Sequence, residues 1–428
     1  MIKRHKASLM TPATWALISS LYVTSFMGPG FFLIALVTIL RQNGASLSQL
    51  NMVYFLGTFW VLKCLWAPWV DRIRFGRLGH YRGWLLLAQA GMIVTFYIIG
   101  RFDVLSDFFI VLVLCMLQAF LSATQDIAAD GLVVSLLAED ERALGNSVQS
   151  ACGLIGNMLG GGVVLMAYPH IGWDGCMGIL SLIAAISFVQ LLFFKERTRP
   201  VPQHSIRRYF SRFVVFWRQD GYRRWMAMLV LFPLGTSAGY ALIVPILVDA
   251  GWPIARIGFV TNIAGTIIGV GVSMVTGFLI RAYGRYPILI GTAFFQIMGL
   301  LVLIVPATGH TDLIPVFGSV GVFFAVYSSV AVVLTTLMMD HAASDSPATD
   351  FTMQFSLFSM VGFGAISISN ILAQNFGYVT GILIASACSF VALVVSLNYI
   401  PLQAGSQGVD ESLESLESVG AGLRGGVD

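Results

Sequence analysis

The chain is short of charge. Only 11% of its 428 residues are Asp, Glu, Lys or Arg, whereas 57% are hydrophobic. An average soluble protein carries about 25% charged residues. A chain this long with so little charge cannot solvate a folded surface, which excludes a soluble globular protein and points to an integral membrane protein. Cysteine is scarce too. Cys64, Cys115, Cys152, Cys176 and Cys388 lie scattered through apolar segments without paired spacing, so they read as small packing residues and imply no disulfide framework. The six histidines read as loop or terminal residues, and there is no HExxH and no Cys/His cluster. No metal site is expected. A Walker loop is missing, as is a GxGxxG after a strand, so neither a nucleotide cofactor nor an ATP-driven pump on this chain alone is expected. No nucleophile–base pair suggests a membrane hydrolase.

Long hydrophobic runs are present in abundance. A helix needs about 20 apolar residues to cross the hydrocarbon core. Candidates fall near 15–40, 50–70, 83–100, 107–133, 144–166 and 175–194. A second set lies near 225–249, 257–280, 286–306, 313–339, 351–373 and 377–400. The first run is longer than a signal-peptide core, so it reads as a span and not as a cleaved leader. The expected fold is therefore all-α and polytopic, with twelve transmembrane helices in two six-helix bundles. The divisions are a cytoplasmic N-terminus at 1–14, bundles at 15–194 and 225–400, a cytoplasmic central loop at 195–224, and a disordered cytoplasmic tail at 401–428.

The basic residues test this topology. With the N-terminus inside, 20 of the 24 Lys and Arg fall on the cytoplasmic side and three (Arg41, Arg101, Arg256) on the other, with Lys63 inside a span. That is the positive-inside bias, and it places both termini in the cytoplasm. The net charge of +3 is then a topology signal and gives no hint of nucleic acid. The central loop combines Pro200 and Pro202 with the run RRYFSRFVVFWRQDGYRR, which reads as a linker and anchor on membrane lipid.

The fourth run contains QAFLSATQDIAAD, residues 118–130. Asp126 and Asp130 are four apart and share a helix face, with Gln118 and Gln125 adding polarity. A carboxylate in a spanning helix costs about 2.5–3.5 kcal/mol on insertion scales, and an intramembrane charge is a functional hypothesis by default. At 1.5 Å per residue, Lys63 lies about 4–5 Å from its span's midpoint and Asp126 about 9 Å, both toward the cytoplasm. The two can pair, either as a static lock or as a coupling site. Asp130 lies lower, near the headgroups. Tyr22, Gln149, Asn157, Tyr240, Tyr327 and Gln354 are further candidates for lining a cavity, against the plainer alternative of helix–helix hydrogen bonding. Gly28-Pro29-Gly30, Pro233 and Pro245 would loosen their helices, and GLIGNMLGGG offers small residues for close helix approach.

The turn APWVDRIRFGR follows the second run, and GFLIRAYGR follows the eighth. Asp71, Arg72, Gly76 and Arg77 make the first turn a candidate gate. The second turn has Arg281 where the first has its acid, so gating is expected to rest mainly on the first copy.

Twelve spans, the six-plus-six division and DRIRFGR resemble the major facilitator superfamily, over about residues 15–400. ATQDIAADGL, TDFTMQ at Thr349–Gln354 and LKCLWAPWVDR resemble its branch of anhydromuropeptide permeases, acetyl-coenzyme A transporters and siderophore permeases. QDIAADG with the GHYRGWL loop is most similar to the permeases for rhizobactin and pyochelin. The resemblance implies alternating access by two rocking bundles, powered by an ion gradient. The expected function is thus import of a ferric siderophore through a bacterial inner membrane, with proton coupling. Muropeptide transport is the alternative, and a membrane enzyme or a transporter-like receptor are the other classes. No protein partner is expected. A reporter fused within 203–212 should behave as cytoplasmic and one near Gly309 as periplasmic; reversal at both positions removes the six-plus-six topology.

Overall fold

The structure, a computed structural model, describes residues 10–196, 206–218, 222–310, 312–343 and 346–399. Among these residues the secondary structure is helical throughout. The N-terminal segment to residue 9, most of the expected loop outside 206–218, and the expected disordered tail lie outside the described residues. Ten helices are long and apolar enough to cross a membrane. One of them, Arg142–Phe193, has 52 residues. Straight, it would be about 78 Å long, more than twice the hydrocarbon thickness. It instead reverses at Gly172, whose φ of +68° is open to glycine at no steric cost. Its two legs are the fifth and sixth spans. The second span, running from Leu47–Tyr54 through Thr58–Leu62 to Ala67–Arg72, is broken by 3₁₀ turns at Phe55–Gly57 and Lys63–Leu65. Adding the second span to the ten helices and dividing the longest at Gly172 gives a count consistent with the twelve runs of the sequence. The remaining ones are Pro12–Gln42 (first), Tyr81–Ile99 (third), Phe108–Leu136 (fourth) and, in the second half, Tyr222–Asp249, Arg256–Tyr283, Arg285–Ala307, Leu313–His341, Pro347–Phe376 and Tyr378–Leu397.

Local chemistry sets several helix ends. The Thr11 side chain accepts from Thr14 N at 3.2 Å just before Pro12. Ser46 and Gln49 form a reciprocal capping box on the second span. Within the second span Pro68 has no N–H to give the carbonyl of Cys64, so the α-helix cannot run unbroken through 63–67.

The first and fifth spans touch backbone to backbone. A Cβ on Gly160 would stand 2.0 Å from Met27 O, one on Gly156 2.3 Å from Val23 O, and one on Gly30 2.4 Å from Asn157 O. The glycine run thus serves packing, as expected. The expected loosening at Pro29 takes a specific form. Pro29 cannot donate to the Ser25 carbonyl, and Ser122 Oγ donates to it instead at 2.6 Å. A π-helical segment, Phe31–Leu36, follows directly. The seventh span stays a continuous helix through Pro233 and Pro245, and Gln296 of the ninth span donates to Phe232 O at 3.0 Å.

The halves merge at one end only. One hydrophobic core draws residues from both, including Leu21, Tyr81 and Leu132 of the first and Met338 and Phe351 of the second. It lies at the end that carries the arginine-rich connections. Toward the other end the core divides, one part built on Phe31, Val53, Phe96 and Leu180, the other on Leu242, Leu300, Phe323 and Ile382. Gly160→Ala tests the glycine crossing. The clash is with backbone, which cannot step aside, so the variant should lose at least the ~1–3 kcal/mol typical of overpacking. Thermal unfolding in detergent reads this, with Gly162→Ala, where a Cβ meets nothing within 4 Å, as the neutral control.

Candidate functional site

Lys63 sits in the second of the two 3₁₀ turns, wholly buried. Its Nζ pairs with Asp126 Oδ2 and lies 3.9 Å from Asp130 Oδ2. The pairing of Lys63 with Asp126 follows the sequence reading. Asp130 is wholly enclosed in the same cluster. Its Oδ1 accepts from Tyr22 Oη at 3.0 Å and from Gln149 Nε2 at 2.9 Å. The first, second, fourth and fifth spans therefore converge on two carboxylates and one ammonium. Asp126 Oδ1 and Asp130 Oδ2 are buried without a hydrogen-bond partner. Such oxygens cost about 1–3 kcal/mol each to leave unpaired, more when charged.

The other polar candidates separate by role. Gln125 Nε2 faces Leu21 O, Thr24 Oγ1 and Ser25 Oγ at 2.8–3.0 Å, tying the fourth span to the first. Gln118, also buried, has neither amide atom partnered. Asn157 donates to Gly153 O of its own helix at 3.2 Å. Gln354 bonds within the second half instead: it accepts from Trp225 Nε1 at 2.7 Å and donates to Met338 O at 3.1 Å. Tyr240 and Tyr327 stack with ring centroids 5.8 Å apart, and Tyr240 is 44% exposed. The second half thus offers an aromatic face where the first offers charge.

The joined end is closed by charged groups. Asp71 accepts from Thr349 N at 2.7 Å, Thr349 Oγ1 at 2.5 Å and Ala348 N at 3.3 Å, at the N-terminus of the eleventh span, and Tyr81 Oη donates to it at 2.6 Å. A carboxylate there meets free N–H groups and the positive end of the helix dipole. Beside it His80 Nε2 is 2.8 Å from Val70 O. Burial pushes the His80 pKa down, so the neutral ring must carry its proton on Nε2. Gly76 supplies the turn at φ +56°, whereas Arg72 and Arg77 stand exposed. The second turn does bridge the halves, contrary to expectation. Asp340, at the end of the tenth span, supplies the acid that the turn lacks. It pairs with Arg285 and accepts from Arg142 Nη1 of the first half at 3.0 Å, and Arg285 Nη2 donates to Glu139 O at 2.7 Å.

Sequence reasoning missed Asp340, Asp350 and the place of Arg212. The linking helix Ile206–Arg218 buries Arg212, whose Nε and Nη2 donate to the Asp350 carboxylate at 3.0 and 2.8 Å. Its Phe210 packs edge-on to Trp69 of the first half at 5.1 Å. This segment is more than a surface anchor. The TDFTMQ motif was the available signal for Asp350. His341, expected in a loop, closes the tenth span and stacks on Trp225 at 4.7 Å. The five cysteines are free thiols.

Two helical bundles joined at one end, with a buried titratable cluster in one of them, define a polytopic membrane transporter. The chain belongs to the Major Facilitator Superfamily, whose family profile matches residues 18–369. An anhydromuropeptide permease of Escherichia coli strain K12 is 27% identical over 261 residues, 58% of this chain and 52% of that one. The chain spans about half the length of the curated relatives it matches. Among solved structures, the human organic anion transporter MFSD10 (TETRAN) superimposes with a TM-score of 0.72 at 14% identity, covering 90% of this chain and 100% of that one. The proton:xylose symporter XylE gives 0.69 at 13%, covering 94% and 98%. Likenesses this distant show the fold. The family places the chain with secondary transporters and not with enzymes.

The cluster makes an ordered prediction. Lys63→Met strands two buried carboxylates, whereas Asp126→Asn leaves Lys63 facing Asp130. Breaking a buried pair costs about 3–5 kcal/mol. Folded, monodisperse protein in detergent should therefore fall sharply for Lys63→Met, and the added change Asp126→Leu should restore much of it. Equal losses for Lys63→Met and Asp126→Asn would contradict the geometry.

Proposed function

We propose that the protein is a proton-coupled importer of anhydromuropeptides in a bacterial inner membrane, with the arginine-rich end facing the cytoplasm. The observation that carries the coupling is the cluster of Lys63, Asp126 and Asp130. One cation between two carboxylates balances when a single proton is bound, and two unpartnered carboxylate oxygens stand ready to take it. Tyr22 and Gln149 donate to Asp130 Oδ1, which leaves its Oδ2 facing Lys63.

Alternating access requires one end to be sealed while the other is open. The halves are bonded at the arginine-rich end through Asp71, Asp340 and Arg285, and their cores part toward the opposite end. This arrangement supports an outward-facing state. Asp71, Gly76 and their neighbours form the inner gate, with Asp340 as its second half.

The Escherichia coli permease supports the muropeptide substrate. Siderophore import, the first expectation, rests on QDIAADG and the GHYRGWL loop. Vesicles holding the protein should accumulate labelled anhydromuropeptide under an inward proton gradient and lose it with a protonophore. Asp126→Asn should abolish accumulation by at least tenfold yet keep exchange of substrate across the membrane. Gradient-driven uptake of a ferric siderophore with none of muropeptide would replace the substrate, and accumulation that survives Asp126→Asn would remove that carboxylate from coupling.

A further inference from the structure

Lys63 has a third neighbour, and it belongs to the other half. Its Nζ lies 4.4 Å from the ring centroid of Phe355, on the eleventh span. The groups around this cation are thus Asp126 and Asp130 on the fourth span and an aromatic face on the eleventh. Tyr22 and Gln149 reach it only through Asp130. Two hydroxyls flank Phe355 on its helix: Thr352, buried without a partner, and Ser356, which lies beside Cys64 of the second span. The cation meets the ring and not an oxygen of the second half.

Phe355 stacks on Phe351, which belongs to the core joining the two halves, at 6.3 Å and 16° between ring planes. It also lies about 9 Å along its helix from Thr349, the residue that Asp71 grips. A ring held this way moves with the inner gate. When the halves part at that end, the ring must leave Lys63.

We propose that Phe355 is a positioning residue of the transport cycle: its ring holds Lys63 across the seam, so the inner gate and the charge cluster open and close as one unit. This rests on the alternating-access reading above. A cation–π contact is strengthened when it is desolvated, as here, and weakened when the ring's negative face is depleted. Loss of the contact lets the inner gate open while the cluster is still loaded, which leaks protons without moving substrate.

The test replaces Phe355 by 4-fluoro-, 3,5-difluoro- and 3,4,5-trifluorophenylalanine in the full chain. These keep the ring's shape and withdraw its charge stepwise. Spin labels on cysteines introduced at the exposed positions Leu78 and Tyr283, one in each half, report the distance across the inner end. The ratio of closed to open inner gate should fall with each fluorine, by about three- to tenfold over the series, and Phe355→Leu should fall at least as far. Proton leak into substrate-free vesicles should rise in the same order, while substrate exchange persists. A flat distance series overturns the proposal, as does a trend unchanged in Lys63→Met/Asp126→Leu, since packing and not charge would then hold the ring. The reading of function fails separately. Gradient-driven uptake in the native protein with a flat series sinks only the role of Phe355, and a graded series without gradient-driven uptake sinks only the coupling.

Discussion

An ammonium group buried in a membrane must be neutralised where it stands, and this constraint organises the first half of the protein. Lys63 cannot reach an interface from its 3₁₀ turn, so two carboxylates of the fourth span come to it. The helices must then approach closely and in register. Pro68 breaks the second span beneath the lysine, and Gln125 ties the fourth span to the first. Ser122 fills the bond that Pro29 leaves open, and the glycines of the fifth span bring its backbone against the first. Tyr22 and Gln149 complete the shell on Asp130. Each is a local feature of its own helix, and together they enclose one charge.

A second set of charges governs how the halves meet. Asp71 caps a helix of the opposite half, and the free N–H groups there give it partners that water would otherwise supply. Asp340 joins Arg142 to Arg285 across the same seam. Arg212 of the linking helix neutralises Asp350 one residue beyond Thr349, and bidentate geometry fixes that helix beneath the gate. Of these, only the bonds of Asp340 are partly exposed, whereas Asp71, Arg212 and Asp350 are as fully buried as the Lys63 cluster.

Much of the architecture was legible because a bilayer leaves so few choices. Apolar runs of span length and the bias of arginines among their connections are local properties, each readable from a window of some 20 residues. Asp126 and Asp130 stood out for the same reason: in that solvent a carboxylate is conspicuous wherever it falls. The depth argument even matched Lys63 to Asp126, since rise per residue fixes height along a helix. It did not bring Asp130 into the same cluster, because height does not tell which face is enclosed.

What the sequence by itself determined was therefore the apolar spans and the residues too polar to be there by chance. Only the tertiary structure decided their partners. Gln354 and Gln149 are both amides in spanning helices, yet one staples a bundle and the other holds a carboxylate. Asp340 substitutes for an acid missing from a turn more than 50 residues away, and Phe355 faces a cation from the opposite half. Helical periodicity sets where a side chain points on its own helix. How two helices are rotated against each other follows from the fit of all the spans at once, and no stretch of sequence carries that on its own.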